Sequence, residues 1–130
     1  VQLVGHKEGG EKDIMFRSAG LFLLPTYSEN FGIVVLEALS YGLPVITTTE
    51  TPWLELNQKG CGWVVEPGSE YLVDPLEKAT NLNDSVLDLM GVKAKIYASR
   101  YRWELSAESM MSVYAWVTNR GPRPDNVCLD

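Results

Sequence analysis

Along the chain, short and mostly apolar runs alternate with longer segments whose apolar residues recur at helical spacing. "VQLVG" (1–5), "LFLLP" (21–25), "PVITTT" (44–49) and "GWVVE" (62–66) are the short runs. Bounded by Gly, Pro or polar residues, and in the third case rich in β-branched side chains, they predict four strands. Pro25 closes the second because it has no N–H to give to a central ladder, and Pro67-Gly68 closes the fourth. Between them, "EKDIMFRSAG" reads as a short helix ending at Gly20, and residues 30–41 as a helix stopped by Gly42. "PWLELNQ" opens at Pro52, a favoured first helical position, with Thr51 as its cap. Strand and helix in turn indicate βαβ units and a parallel sheet. Continuous apolar strands fit a sheet covered on both faces.

After Gly68 the pattern becomes wholly helical. Helices are expected at about 70–80, at 84–101 with Asn83 or Asp84 near the cap, and at 104–118. In the last, Ala107, Met110, Met111, Tyr114 and Val117 follow helical spacing. Trp103 and Trp116 are expected to anchor the terminal helices, on this core or on a domain outside the chain. "NRGPRPDNVCLD" (119–130) reads as an irregular tail. The fold class is therefore α/β: a Rossmann-like parallel sheet with flanking helices and a helical C-terminal part.

Charge and composition narrow the function. A net charge of −6, with Lys and Arg scattered along the chain, argues against a nucleic-acid surface, which needs clustered cations to neutralise phosphate. Cys61 and Cys128 form no Cys-x-x-Cys pair and His6 is the sole histidine, so no zinc site is expected. A reduced, cytoplasmic setting is the better expectation for two such distant cysteines. No apolar run reaches the ~18 residues of a membrane span. The sequence opens at Val1, within what reads as a strand, which suggests a fragment of a longer protein.

One feature does not fit a plain core. From Phe31 to Leu39 every residue is apolar or glycine except Glu37, and Glu29 stands just ahead of the run. The helical neighbours of Glu37 are Ile33, Val34, Ser40 and Tyr41, hardly a charged, solvated face. Burying an unpaired carboxylate costs several kcal/mol. Either a protein cation or backbone donors satisfy Glu37, or it looks into a cleft where a ligand supplies the donors. Its position favours neither by itself, but the surroundings suggest a ligand site. In open parallel α/β sheets ligands bind beyond the carboxyl ends of the strands. The loop 25–29 leaves such an end, and a helix expected from about Asn30 would present its unpaired amides there, a seat for phosphate. Gly32 has no side chain to hold a phosphate away.

Taken together, "SENFGIVVLEALSYGLPVITT" resembles the signature of retaining glycosyltransferases of family 4, which have the GT-B architecture. Two glutamates eight positions apart, Glu29 and Glu37, precede a helix end at Gly42-Leu43-Pro44. The flanks "LVGHKEGGEKDIMFRSAGLFLLPTYSE", "GCGWVVEPG" and "YRWELSAESMMSVYAWV" are similar to the neighbouring segments of that family, so the likeness covers roughly 1–118. It implies the donor-binding, C-terminal domain of a GT-B enzyme, truncated at its N-terminal side. Glu37 would accept hydrogen bonds from the ribose of a nucleotide-sugar donor, and Glu29 would contact the donor sugar as the residue nearest catalysis. Backbone amides of Asn30, Phe31, Gly32 and Ile33 would hold sugar hydroxyls and diphosphate. The loop "HKEGG" would lie near the nucleobase. No metal or other cofactor is implied, and transfer would proceed with retention and without an enzyme nucleophile. The basic residues that grip the diphosphate in the family have no match here, and the N-terminal, acceptor-binding domain is absent. The resemblance thus implies the nucleotide-sugar-binding part of a transferase of polysaccharide biosynthesis, inactive as a fragment. Contact with a membrane would come only through the missing parts. The alternative, a stand-alone flavodoxin-like binding or regulatory module, would make Glu37 structural.

Overall fold

The computed structural model describes residues 2–128; the first residue of the expected 1–5 strand and the last two of the tail lie outside the described residues. The chain forms two units, residues 1–98 and 99–130. The first contains a three-stranded sheet of β1 (Phe22–Leu24), β2 (Val45–Thr48) and β3 (Gly62–Val65), in that order and parallel throughout. Registers Phe22↔Val45 and Val45↔Gly62 align the three strands at their starting ends. Its helices are α1 (Gly9–Ser18), α2 (Ile33–Tyr41), α3 (Leu56–Lys59), α4 (Val73–Thr80) and α5 (Asp84–Ala98).

All four residues of β2 are buried, as expected of a central strand covered on both faces. α2 supplies Val35, Ala38 and Leu39 to a core that also holds Phe16, Val45, Trp53, Leu56, Ala94 and Tyr97. The predicted stop at Gly42 is present in full. Gly42 takes φ 83°, its N–H donates to the Leu39 carbonyl at 2.9 Å, and Leu43 N–H reaches back to Ala38 at 3.0 Å. α5 crosses here at van der Waals closeness, because a Cβ on Gly91 would stand 2.6 Å from the Gly42 carbonyl oxygen. Asn83 caps α5 as expected, its Oδ1 accepting the Val86 N–H at 3.0 Å. On the outer strand, the Val64 N–H donates to Asn57 Oδ1 at 2.7 Å, so a side chain of α3 satisfies part of a bare edge.

Three expectations are corrected. Residues 2–5 form no strand; Leu3 is 95% exposed, and an apolar run becomes a strand only where a partner edge and a cover exist. The helix predicted from Pro52 is confined to Leu56–Lys59, because Trp53 turns into the core and bends the chain across 51–55. Thr51 is therefore not the helix cap, a position held by Glu55; its Oγ1 instead accepts the Trp53 N–H at 3.4 Å within the bend. The helix placed at 30–41 begins only at Ile33, since Gly32 is left-handed.

The second unit is a 3₁₀ turn at Ser99–Tyr101, α6 (Trp103–Val117) and the tail. Asn119, at φ 57°, ends α6, with Arg120 N–H donating to the Ala115 carbonyl at 2.7 Å. The tail then returns along its helix, where Asn126 Nδ2 donates to Ser109 Oγ at 2.6 Å. The stripe of Met110, Met111, Tyr114 and Val117 is helical as predicted and stands exposed, and Trp103 is 82% exposed. Periodicity establishes a helix; burial needs a covering partner, which spacing cannot supply.

Candidate functional site

The strands end together at one edge of the sheet, and the loops leaving β1 and β2 are tied to each other there. Thr47 Oγ1 donates to the Leu24 carbonyl at 3.1 Å and Thr48 Oγ1 to the Thr26 carbonyl at 2.6 Å. Glu29 N–H donates to the Glu50 carbonyl at 3.1 Å. The threonine hydroxyls therefore serve carbonyls at the end of β1 and in the loop after it, and brace this end of the sheet.

Above the brace sits the N-terminus of α2. Gly32, with φ 70° and ψ 58°, caps the helix from the left-handed region, where a side chain is strained. Its surroundings are as restrictive as its backbone. A Cβ there would stand 3.1 Å from Glu29 Cγ and 3.3 Å from Trp53 Nε1. The Gly32 carbonyl accepts Val35 N–H at 2.8 Å, while the first amides of α2 point out along the positive end of the helix dipole.

The candidate residues fall around this mouth in different states. Glu29 is half-buried and its Oε1 accepts the Asn30 N–H at 3.0 Å. That amide is therefore engaged by its own neighbour. Phe31 is 41% exposed and Ile33 61% exposed, whereas Gly32 is buried. Glu37 lies on the same face of α2 as Ile33, one turn further along.

Glu37 is also where the structure departs most from expectation. It was expected to wait for ribose hydroxyls rather than a protein cation, yet Lys12 Nζ lies 2.6 Å from its Oε1. Both side chains remain a little over one-third exposed. The pair forms because α1 packs on α2, a proximity hidden by a separation of 25 positions in the sequence. Lys12 is on α1 with its ammonium 5.9 Å from the Phe16 ring centre. Beside it Tyr41 Oη donates to Asp13 Oδ1 at 2.6 Å, and Arg17 Nε donates to Asp13 Oδ2 at 2.8 Å. The Arg17 hydrogen bond, helped by Tyr41, holds the Asp13 carboxyl below its ordinary range; Asp13 in turn raises the Tyr41 phenol. In "HKEGG", His6 Nε2 lies 2.8 Å from Glu8 Oε1 with both side chains strongly exposed.

One residue of the mouth carried no chemistry in the sequence. Trp53 is 1% exposed, and its indole Nε1 donates to the Phe31 carbonyl at 2.6 Å. A buried indole needs an acceptor, so a Trp just past a strand end was the available signal. At the opposite end of the sheet, a cavity of about 500 Å³ is bounded by Gly20, Pro44, Asp84, Asp88 and Lys95. It faces the starting ends of the strands, away from the edge where such sheets bind ligands.

A parallel α/β sheet with a glycine-capped helix mouth over its carboxyl edge defines a class of ligand-binding domain. Comparison with known proteins places the chain within that class. The family model described as glycosyl transferases group 1 matches residues 1–91, and the chain belongs to that family. It is 31% identical over 118 residues to the D-inositol 3-phosphate glycosyltransferase of Corynebacterium jeikeium, covering 84% of this chain and 26% of the relative. To the sucrose synthase of Acidithiobacillus caldus it is 35% identical over 100 residues, 72% of this chain and 13% of the relative. Among solved structures, WaaG, a glycosyltransferase involved in lipopolysaccharide biosynthesis, superposes with a TM-score of 0.60 at 34% identity. That match covers 70% of this chain and 25% of WaaG. Sucrose-phosphate synthase from Thermosynechococcus elongatus shares the fold, with a TM-score of 0.70 at 21% identity over 82% of this chain and 27% of that one. The chain spans about a quarter or less of these relatives' length.

Proposed function

We propose that this chain is the nucleotide-sugar-binding part of a retaining glycosyltransferase. The parent enzyme moves a hexose-type sugar from a nucleoside-diphosphate donor to a glycan or lipid-linked acceptor. The observation that carries the reading is the α2 mouth: a left-handed, buried Gly32 between Glu29 and Glu37, over the carboxyl edge of a parallel sheet. Membership of the glycosyl transferases group 1 supports it. So do the activities named for its relatives, a D-inositol 3-phosphate glycosyltransferase and an α-1,3/1,6-mannosyltransferase among them.

In this reading the helix-terminal amides of Gly32 and Ile33 hold the diphosphate or sugar hydroxyls, joined by those of Asn30 and Phe31 once Glu29 turns toward the donor. Glu29 contacts the sugar at the reacting end. Glu37 accepts the ribose hydroxyls, and Lys12 either shares the carboxylate or moves aside. In this reading no enzyme side chain serves as a nucleophile; catalysis rests on orientation and on stabilising the leaving diphosphate. The acceptor, further basic groups for the diphosphate and any membrane contact belong to the rest of a longer, cytoplasmic enzyme.

Calorimetric titration with uridine, guanosine and adenosine diphosphates tests the donor site. One of them is expected to bind, and Glu37→Gln to weaken it at least tenfold while the melting temperature shifts by only a few degrees. A loss of stability in proportion to the loss of binding would make Glu37 a structural partner of Lys12. Absence of heat with all three, in a folded sample, would remove the donor site from this chain.

A further inference from the structure

We infer that Trp53 is a positioning residue for the α2 mouth: its indole N–H sets the Phe31–Gly32 peptide so that the Gly32 amide faces the ligand. The inference deepens the donor-site reading and rests on it. Trp53 is planted in the core, 1% exposed, with its ring edge-on to Tyr97 at 6.1 Å and 78°. Its main chain is held from below, where Thr51 Oγ1 accepts its N–H and itself donates to the Thr48 carbonyl at 3.0 Å. The post therefore stands on the end of β2 and is not free to swing.

From that base the indole nitrogen reaches up to the Phe31 carbonyl at 2.6 Å, with the two rings 5.2 Å apart and tilted by 59°. A trans peptide is planar, so its C=O and the following N–H point in opposite directions. Drawing the Phe31 oxygen inward to the indole necessarily turns the Gly32 N–H away from it. That amide finds no acceptor among the described residues, although Gly32 itself is buried. A buried backbone N–H without an acceptor is rare, and one at a helix mouth is a donor held ready for an anion or a hydroxyl. The same indole closes the space that any Cβ on Gly32 would need, at 3.3 Å. One side chain thus fixes the peptide's orientation and enforces glycine at the cap.

The test compares the wild-type 130-residue chain with Trp53→Phe, which keeps a ring and removes the donor, and with Val45→Ala, a core change at the far end of β2. Two quantities are read: affinity for the three nucleoside diphosphates, and the Gly32 amide resonance in ¹⁵N-labelled protein. Trp53→Phe should bind the preferred diphosphate about tenfold more weakly, the scale of one hydrogen bond, and should displace the Gly32 resonance. Val45→Ala should lower the melting temperature and leave affinity unchanged. Wild-type affinity in Trp53→Phe, or an unmoved Gly32 resonance, overturns the inference. If the wild type takes none of the three diphosphates, the donor-site reading fails, and the ligand-free Gly32 resonance alone decides whether Trp53 sets the peptide. Should Trp53→Phe fail to fold, the wild-type indole N–H resonance decides: it should shift on diphosphate binding, and no shift overturns the role.

Discussion

Gly32 meets three separate demands: a positive φ, a close approach to Glu29 and Trp53, and an amide turned outward. An alanine would take a left-handed backbone at a cost of roughly 1–2 kcal/mol and add contacts tighter than most Cβ atoms tolerate. Gly32→Ala is therefore expected to lose about 1–3 kcal/mol in denaturant unfolding. In titration, diphosphate affinity should fall further than that loss explains, because the methyl group also displaces the Glu29 stem. Cys61 illustrates the opposite case. Burial pushes its thiol up to about 11, so at neutral pH it is a protonated packing group, and both cysteines are free.

At the scale of elements, α1 and α2 are clasped by two polar contacts, Lys12–Glu37 and the Arg17–Asp13–Tyr41 chain. Their pH dependence has a definite sign. Asp13 is lowered by its hydrogen bonds from Arg17 and then Tyr41, so its contribution is present above the ordinary value of 3.8 and lost as pH falls through the lower folded value. Tyr41 is raised chiefly by its hydrogen bond to Asp13. Its contribution is complete below the ordinary value of 10.0 and disappears as pH rises through the higher folded value. The melting temperature should hold across neutral pH and decline on the acid and far alkaline sides. Tyr41→Phe should remove its share of the alkaline decline. Because the clasp lies at the surface, each limb is expected to be small.

For the whole molecule, protection should follow burial within each unit. β2 is buried along its length, whereas α6 contains no buried residue. Amide hydrogen exchange should accordingly be slowest at Val45–Thr48 and fast along Trp103–Val117. Comparable protection in the two would mean that the apolar face of α6 is covered in solution. That face runs from Leu105 through Met110 and Tyr114 to Val117. Among the described residues no helix is long and apolar enough to cross a membrane.

Local chemistry made much of this legible in advance. Unbroken β-branched and apolar runs define β1, β2 and β3, because a doubly covered parallel strand has no polar face to alternate with. Gly42 and Asn83 announce helix ends through backbone groups that only nearby residues can satisfy. Glu29, Gly32 and Glu37 stand out because acids and a glycine interrupt an apolar helix. Contacts across distance were not legible. The failure of residues 2–5 to pair, the Lys12 ammonium on Glu37, the left-handed cap that delays α2 to Ile33 and the Trp53 indole beneath Phe31 all depend on how separate elements meet. Period and propensity act over a few residues, whereas ion pairs, ladders and buried hydrogen bonds are decided where chain segments pack together.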